Sequence, residues 1–294
     1  MRLTALLARA LLMATSLVPF SAAQAQWATL DWTIAETLMA IDAPIEGVAQ
    51  IPAYHDWVGE PRIPETVTDL GLRQSPNFEL MARAAPQGFL ISTMAAALAP
   101  KLSRIAPVTS LALYSPGAQT WSEVLDFTRK LGDITQRQTE AEALIDDTDA
   151  LLARLRQDMP AEPPALVMIQ FMDARHVRVF GQNSLYSAVL DRLGIENAWT
   201  APTNEWGFTL TGIEALARFD EATLLIVDPI PAGVEEELAR SGLWQHLPVI
   251  EENRVIRLAP VWSFGALPSA QRFARELAAA LVDSRSGEET TSGS

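Results

Sequence analysis

The chain has 294 residues, 49% of them hydrophobic, with 36 acidic against 22 basic side chains and a formal net charge of −14 at pH 7. Such an acidic chain lacks the basic clusters that phosphate binding needs, which argues against a nucleic-acid partner. Cysteine is absent, so neither disulfides nor thiolate metal ligands can be invoked.

The N-terminus reads "MRLTALLARALLMATSLVPFSAAQAQ", with Arg2 and Arg9 ahead of an apolar stretch from Ala10 to Ala23 and a small-x-small site at Ala23-Gln24-Ala25. This is the form of a cleaved secretory signal over residues 1–25, with an uncleaved N-terminal anchor as the alternative. The apolar run of 14 residues falls short of the roughly 20 needed to span a bilayer. Its removal takes the net charge to −16, because residues 1–25 hold two arginines and no acid. No cysteine follows to accept a lipid, so the mature chain from Gln26 is expected free in a bacterial periplasm.

In the segment 26–117, "WATLD", "EGVAQ", "GFLIS" and "VTSLAL" read as strands, and 35–41, 77–83 and 96–105 as helices. The segment 118–160 is a helical connector. Gly132 is read as the end of a helix over 118–131. Ala141, Leu144, Ile145, Thr148, Leu151, Leu152 and Leu155 then give a helix over 137–158 an apolar face until Pro160 stops it. That helix would be about 33 Å long. In 161–283, "ALVMIQF", "HVRVF", "ATLLIVD" and "RVIRLA" are strands, and 184–193, 213–217, 234–239 and 269–282 helices. The residues 284–294 have no apolar periodicity and read as a disordered tail.

A shift of 135 positions aligns "NFELMARAAPQGFLI" (77–91) with "GIEALARFDEATLLI" (212–226), five of the 15 positions being identical. Glu79 falls on Glu214, Leu90 on Leu225 and Ile91 on Ile226. Both copies run from a short helix through a break into an apolar strand. Two similar halves around a connector predict an α/β fold: two lobes joined by a single long, rigid helix, with a ligand cleft between them.

Catalytic constellations are scarce. His55, His176 and His246 lie far apart and lack metal-binding spacing, and no phosphate-binding glycine loop is present. Ser263 in "VWSFG" lacks the glycine that a nucleophile elbow needs. Binding therefore fits better than turnover. "TNEWGF" (203–208) and "APVWSFG" (259–265) set tryptophans in loops, where Trp206 and Trp262 either line a cleft or cap the core of their own lobe. Arg73, in "DLGLRQSPNFEL", could fork two oxygens of a polarised ligand or form a surface ion pair.

The stretches "HDWVGEPRIPETVTDLGLRQSPNFELM" (55–81), "VFGQNSLYSAVLDRLGIENAWTAPTNEWG" (179–207) and "SGLWQHLPVIEENRVIRLAPVWSFGA" (241–266) resemble the periplasmic ferric-hydroxamate (ferrichrome-type) siderophore-binding proteins of ABC iron importers. The resemblance implies two α/β lobes on a long helix and a shallow aromatic cleft. It implies that Arg73 meets hydroxamate oxygens, and that Trp57, Trp206 and Trp262 line the site with Asn204, Phe208, Ser263 and Phe264 beside them. It also implies that no protein cofactor is needed, because the siderophore holds the iron. The expected partners are a ferric siderophore and an inner-membrane permease, and the expected state is a monomer.

Three departures bear on specificity. Ala95 stands where the family has a tyrosine assisting the arginine, Ser263-Phe264 replaces a more aromatic pair, and Phe208 replaces a small residue. One absent hydrogen bond is worth about 0.5–1.5 kcal/mol. The resemblance also implies that Glu79 and Glu214 meet permease arginines; each could instead favour its own helix N-terminus. The rival readings are a binder of another iron chelate, haem (with His55 or Tyr54 as axial ligand) or a corrinoid. More remote is a periplasmic siderophore esterase with Ser263 as nucleophile.

Overall fold

The computed structural model describes residues 26–117 and 120–291, with side chains described as far as Val282. The secretory signal read over 1–25 lies outside the described residues. In the first lobe the order is β1 (Trp27–Thr29), α1 (Trp32–Ala40), β2 (Ile45–Val48), α2 (Ile51–Trp57), β3 (Thr68–Asp69), α3 (Phe78–Ala84), β4 (Gly88–Ser92), a 3₁₀ helix (Thr93–Leu98), α4 (Ala99–Leu102) and β5 (Val108–Leu111). Its sheet is ordered β3-β2-β1-β4-β5 and every pair in it is parallel. The helix expected over 96–105 is divided because Pro100 opens a new helix, α4, where its missing N–H costs nothing.

Helices α5 (Thr120–Thr135) and α6 (Gln138–Asp158) make the crossing. The break falls at Gln136, in a left-handed conformation with φ 59°, and not at Gly132. Gly132 lies inside α5, where a Cβ would come within 2.7 Å of the Ala141 Cβ; it is a point of close helix approach, not a cap. The second lobe contains β6 (Leu166–Phe171), β7 (His176–Phe180), α7 (Leu185–Leu193), β8 (Phe208–Gly212), a 3₁₀ helix (Ile213–Arg218), β9 (Thr223–Val227), α8 (Val234–Leu238), α9 (Gly242–Gln245), α10 (Pro248–Glu251) and β10 (Val255–Leu258). Its sheet is ordered β10-β9-β6-β7-β8, parallel from β10 to β6 and antiparallel through β7 and β8. The last helix, α11, spans Leu267–Thr291. Residues 284–291, expected as tail, continue that helix.

The 135-residue repeat is built into the sheets. Trp27 pairs with Gly88 between β1 and β4, and Leu166 with Thr223 between β6 and β9, so residues 88 and 223 hold matching registers. Leu90 and Leu225 face one shared core, while Phe89 and Leu224, one position earlier, face the outer cores of their own lobes. This alternation is the period of two in a sheet covered on both faces.

The shared core is continuous from Ile34 and Leu38 of α1, through Phe127 of α5 and Ile145 of α6, to Leu185 of α7 and Phe273 of α11. Helix α11 thus braces both lobes beside the covalent crossing through α6. At that join Glu36 of α1 is fully buried and caps α11: the Ala266 N–H donates to its Oε1 at 2.6 Å and the Ser269 hydroxyl to its Oε2 at 2.5 Å. Burial pushes the Glu36 carboxyl up to about 8, against those two hydrogen bonds, which favour the ionised form.

Candidate functional site

A cleft of about 430 Å³ opens between the lobes, within the range typical of small-molecule sites. Its first wall begins where β1 ends. Asp31 caps α1 by accepting from the Thr33 and Ile34 N–H groups at 2.9 and 3.2 Å, which starts the helix earlier than its apolar spacing suggests and sets Trp32 and Thr33 at the strand's carboxyl end. The Asp69 carboxylate, at the end of β3, accepts from the Gln50 and Gly71 N–H groups at 3.1 and 2.9 Å. That pins the turn carrying Arg73. The guanidinium donates from Nε to the Leu30 carbonyl at 3.2 Å, lies 3.8 Å from Asp31, and stacks 4.5 Å above Trp32 and 5.7 Å from Trp262. Arg73 thus has an ion partner, but one inside the cleft and not on the surface.

The opposite wall rests on "NEWG". The Asn204 Oδ1 accepts from the Trp206 and Phe208 N–H groups at 3.0 and 3.2 Å, and its carbonyl accepts from Asn183 Nδ2 at 2.8 Å. Gly207 has φ 78°, and a Cβ there would lie 2.5 Å from the Ser184 Cα, so only glycine fits. The turn aims Trp206 inward and leads into β8, which carries Phe208 beside Arg178 of β7. The floor is "APVWSFG". The Tyr186 hydroxyl donates to the Val261 carbonyl at 2.7 Å, the Tyr114 hydroxyl to the Gly265 carbonyl, and Trp262 Nε1 to the Thr33 hydroxyl at 3.1 Å. Trp262 is only 8% exposed and packs among Trp32, Tyr54 and Val58 of the first lobe, so it serves the core and the cleft together. Rings lie edge to face or tilted from Trp32 to Trp262 (5.0 Å), Trp262 to Phe264 (5.2 Å), and Phe264 to Trp206 and Phe208 (5.8 and 5.7 Å). These are favourable aromatic geometries.

Of the residues singled out in the sequence, Trp57, Arg73, Trp206, Phe208, Trp262 and Phe264 line the cleft. Asn204 does not; it shapes the turn. Ser263 is 1% exposed and is absent from the lining. None of the three histidines bonds to it: His55 Nε2 accepts from the Ile63 N–H, His176 faces Asp173, and His246 lies on the Gly242 carbonyl. Tyr54 is fully buried and donates to the Pro61 carbonyl, and neither it nor His55 reaches the cleft. Ala95 packs against the outer core of the first lobe, while its neighbour Met94, 62% exposed, lines the cleft with Ser92 and Thr93.

Sequence reasoning missed Asp31, Trp32, Met94, Tyr114, Met172 and Arg178. Asp31 had a legible signal, an acid just before a helical run. Arg178 had a fainter one, a lone charge in an alternating apolar strand. Among the described residues no group of three or more His, Asp or Glu side chains could hold a metal ion, and no helix is long and apolar enough to cross a membrane.

Aromatic rings and two guanidinium groups, side chains suited to holding a ligand, dominate the cleft between the lobes. That defines the class, a two-lobed α/β binding protein with its site between the lobes. More particularly, the family described as "Periplasmic binding protein" matches residues 28–261, and the chain belongs to that family. It is 33% identical over 252 residues, 84% of each chain, to the iron(3+)-hydroxamate-binding protein FhuD of Escherichia coli K12. A crystal structure of the siderophore-binding protein FhuD from Vibrio cholerae, bound to Fe3+–Desferal, matches with TM-score 0.80 at 26% identity, covering 88% of this chain and 98% of that one. The petrobactin-binding protein YclQ of Bacillus subtilis matches with TM-score 0.69 at 17% identity over 87% of this chain and 92% of that one, a likeness of fold alone.

Proposed function

We propose that the protein captures a ferric hydroxamate siderophore in the periplasm and delivers it to an inner-membrane ABC permease. The observation that carries this reading is the placement of Arg73: a guanidinium stacked on Trp32 in the wall of an aromatic cleft. Three hydroxamates around ferric iron leave a compact complex with polarised oxygens and an apolar skirt. Arg73 would fork those oxygens, while Trp57, Trp206, Phe208, Trp262 and Phe264 cover the skirt. Asn204 acts by holding Trp206 and Phe208 in place; Ser263 supports the floor without touching the ligand. The iron remains the chelate's own, so the protein supplies shape and hydrogen bonds, not metal ligands.

Secretion through residues 1–25 would place the mature chain in the periplasm as a monomer, a binder and not an enzyme. Ala95 offers no hydroxyl, and that of Tyr114 is engaged with Gly265, so Ser92 and Thr93 are the hydroxyl groups on that side with no hydrogen bond among the described residues. In a tryptophan-quenching titration, Arg73→Ala should weaken ferric-hydroxamate binding more than about tenfold, as loss of a charged hydrogen-bonding group implies. An affinity equal to that of the native protein would remove Arg73 from the site.

A further inference from the structure

Arg178 differs from the other half-buried arginines of the described residues. Arg73, Arg137, Arg192, Arg254 and Arg272 each donate a hydrogen bond through the guanidinium. The Arg178 side chain has neither a hydrogen bond nor an ion pair among the described residues; it lies 5.0 Å above the Phe208 ring and 5.6 Å from Phe264. It belongs to the cleft lining. In the β7–β8 ladder Arg178 pairs with Leu210 and Phe180 with Phe208, so all four side chains share the cleft-facing side of the sheet. Burial lowers its affinity for a proton, against a lesser opposing influence from Tyr186. A charged group drawn out of water without a partner is costly, and contact with two phenyl rings offsets part of that cost.

The charge of the cleft follows from its lining. Its charged members are Asp31, Arg73 and Arg178. Asp31 and Arg73 face each other at 3.8 Å and cancel. Arg178 leaves the cleft with one uncompensated positive charge, in a protein whose formal net charge is −14. A surplus cation in a cleft lined mostly by apolar side chains discriminates among ligands by charge more strongly than the same cation in water.

We infer that Arg178 is a second ligand-binding arginine and that it selects ferric chelates carrying a net negative charge, such as a peripheral carboxylate, over neutral and cationic ones. This rests on the hydroxamate reading above and names the subclass of cargo. The Arg73 fork addresses the hydroxamate oxygens from the first lobe, and Arg178 meets the anionic periphery from the second.

The test uses one linear ferric trishydroxamate in three forms that differ only at the terminal amine: free ammonium (net +1), N-acetylated (neutral) and N-succinylated (net −1). Titrated into the full mature protein at low salt, the native chain should bind the −1 form at least about tenfold more tightly than the +1 form, with the neutral form between. Arg178→Gln should collapse that spread to about twofold or less, and Arg178→Lys, which keeps the charge, should retain the ordering. A flat ordering in the native protein, or an unchanged spread in Arg178→Gln, would overturn the inference and leave the hydroxamate reading standing. Equal weakening of all three forms in Arg178→Gln would make Arg178 a contact to the shared core and overturn the charge selection. If Arg178→Gln does not fold, Arg178→Met is titrated in its place: a spread as wide as in the native protein overturns the inference, and a collapsed spread supports it. Failure of all three forms to bind the native protein would overturn the hydroxamate reading itself, and this inference with it.

Discussion

Glu36 shows how one buried side chain joins the lobes and leaves a measurable signature. Its carboxyl, pushed up to about 8 by burial, keeps its proton in the folded protein across a range in which the unfolded chain gives it up. The folded state then binds more protons than the unfolded one, so stability falls as pH rises from about 4.5 to about 8, by up to roughly 1.4 kcal/mol per pH unit. Glutamine keeps a polar atom opposite both the Ala266 N–H and the Ser269 hydroxyl, and does not titrate. Glu36→Gln should therefore gain stability relative to the native chain steadily from pH 5 to pH 8, read from denaturant midpoints. Parallel curves for the two proteins would show that Glu36 does not titrate in this window. At this scale the sequence was legible wherever the local chemistry was complete. Arg73 follows a glycine turn, and "NEWG" carries its own acceptor and its own left-handed glycine. Asp31 facing Arg73, and Glu36 capping a helix 230 residues away at Ala266, depend on tertiary contacts that no local pattern records.

Among elements, the repeat was the most informative pattern, because Leu90 and Leu225 occupy matching places in two sheets and their identity reports a shared geometry. The strand β8 escaped notice although "FTLTG" alternates. It follows a turn directly and pairs antiparallel, outside the strand–helix rhythm that guided the reading. Gly132 misled for a related reason: glycine marks helix ends and close helix contacts alike, and the distance to Ala141 decides between them. Glu79 and Glu214 open the corresponding helical turns of the two copies. Both are exposed, and neither side chain has a hydrogen bond or ion pair among the described residues. A pair so placed suits a partner with approximate twofold symmetry, and exposed charges act chiefly on encounter and orientation. Reversing both, Glu79→Lys with Glu214→Lys, should abolish siderophore uptake in cells while leaving solution affinity within about twofold of native. Undiminished uptake would remove these residues from permease docking.

For the whole molecule, the continuous core limits what ligand binding can do. The lobes are crossed by α6, braced by α11 and packed through one hydrophobic cluster, so opening them widely would expose Phe127, Leu185 and Phe273 together. Closure is expected to be slight, and the ligand to be recognised by a largely preformed cradle. Four of the eight tryptophans, Trp32, Trp57, Trp206 and Trp262, line that cradle, so ligand capture should quench a large part of the intrinsic fluorescence. The most direct measurement is a fluorescence titration of the mature protein with ferric hydroxamates, the same chelators without iron, a ferric catecholate and haem. Saturable quenching by the iron-loaded hydroxamates alone is the predicted result. Saturation by haem or the catecholate, with no response to any ferric hydroxamate, would contradict the assigned cargo and leave only the fold in place.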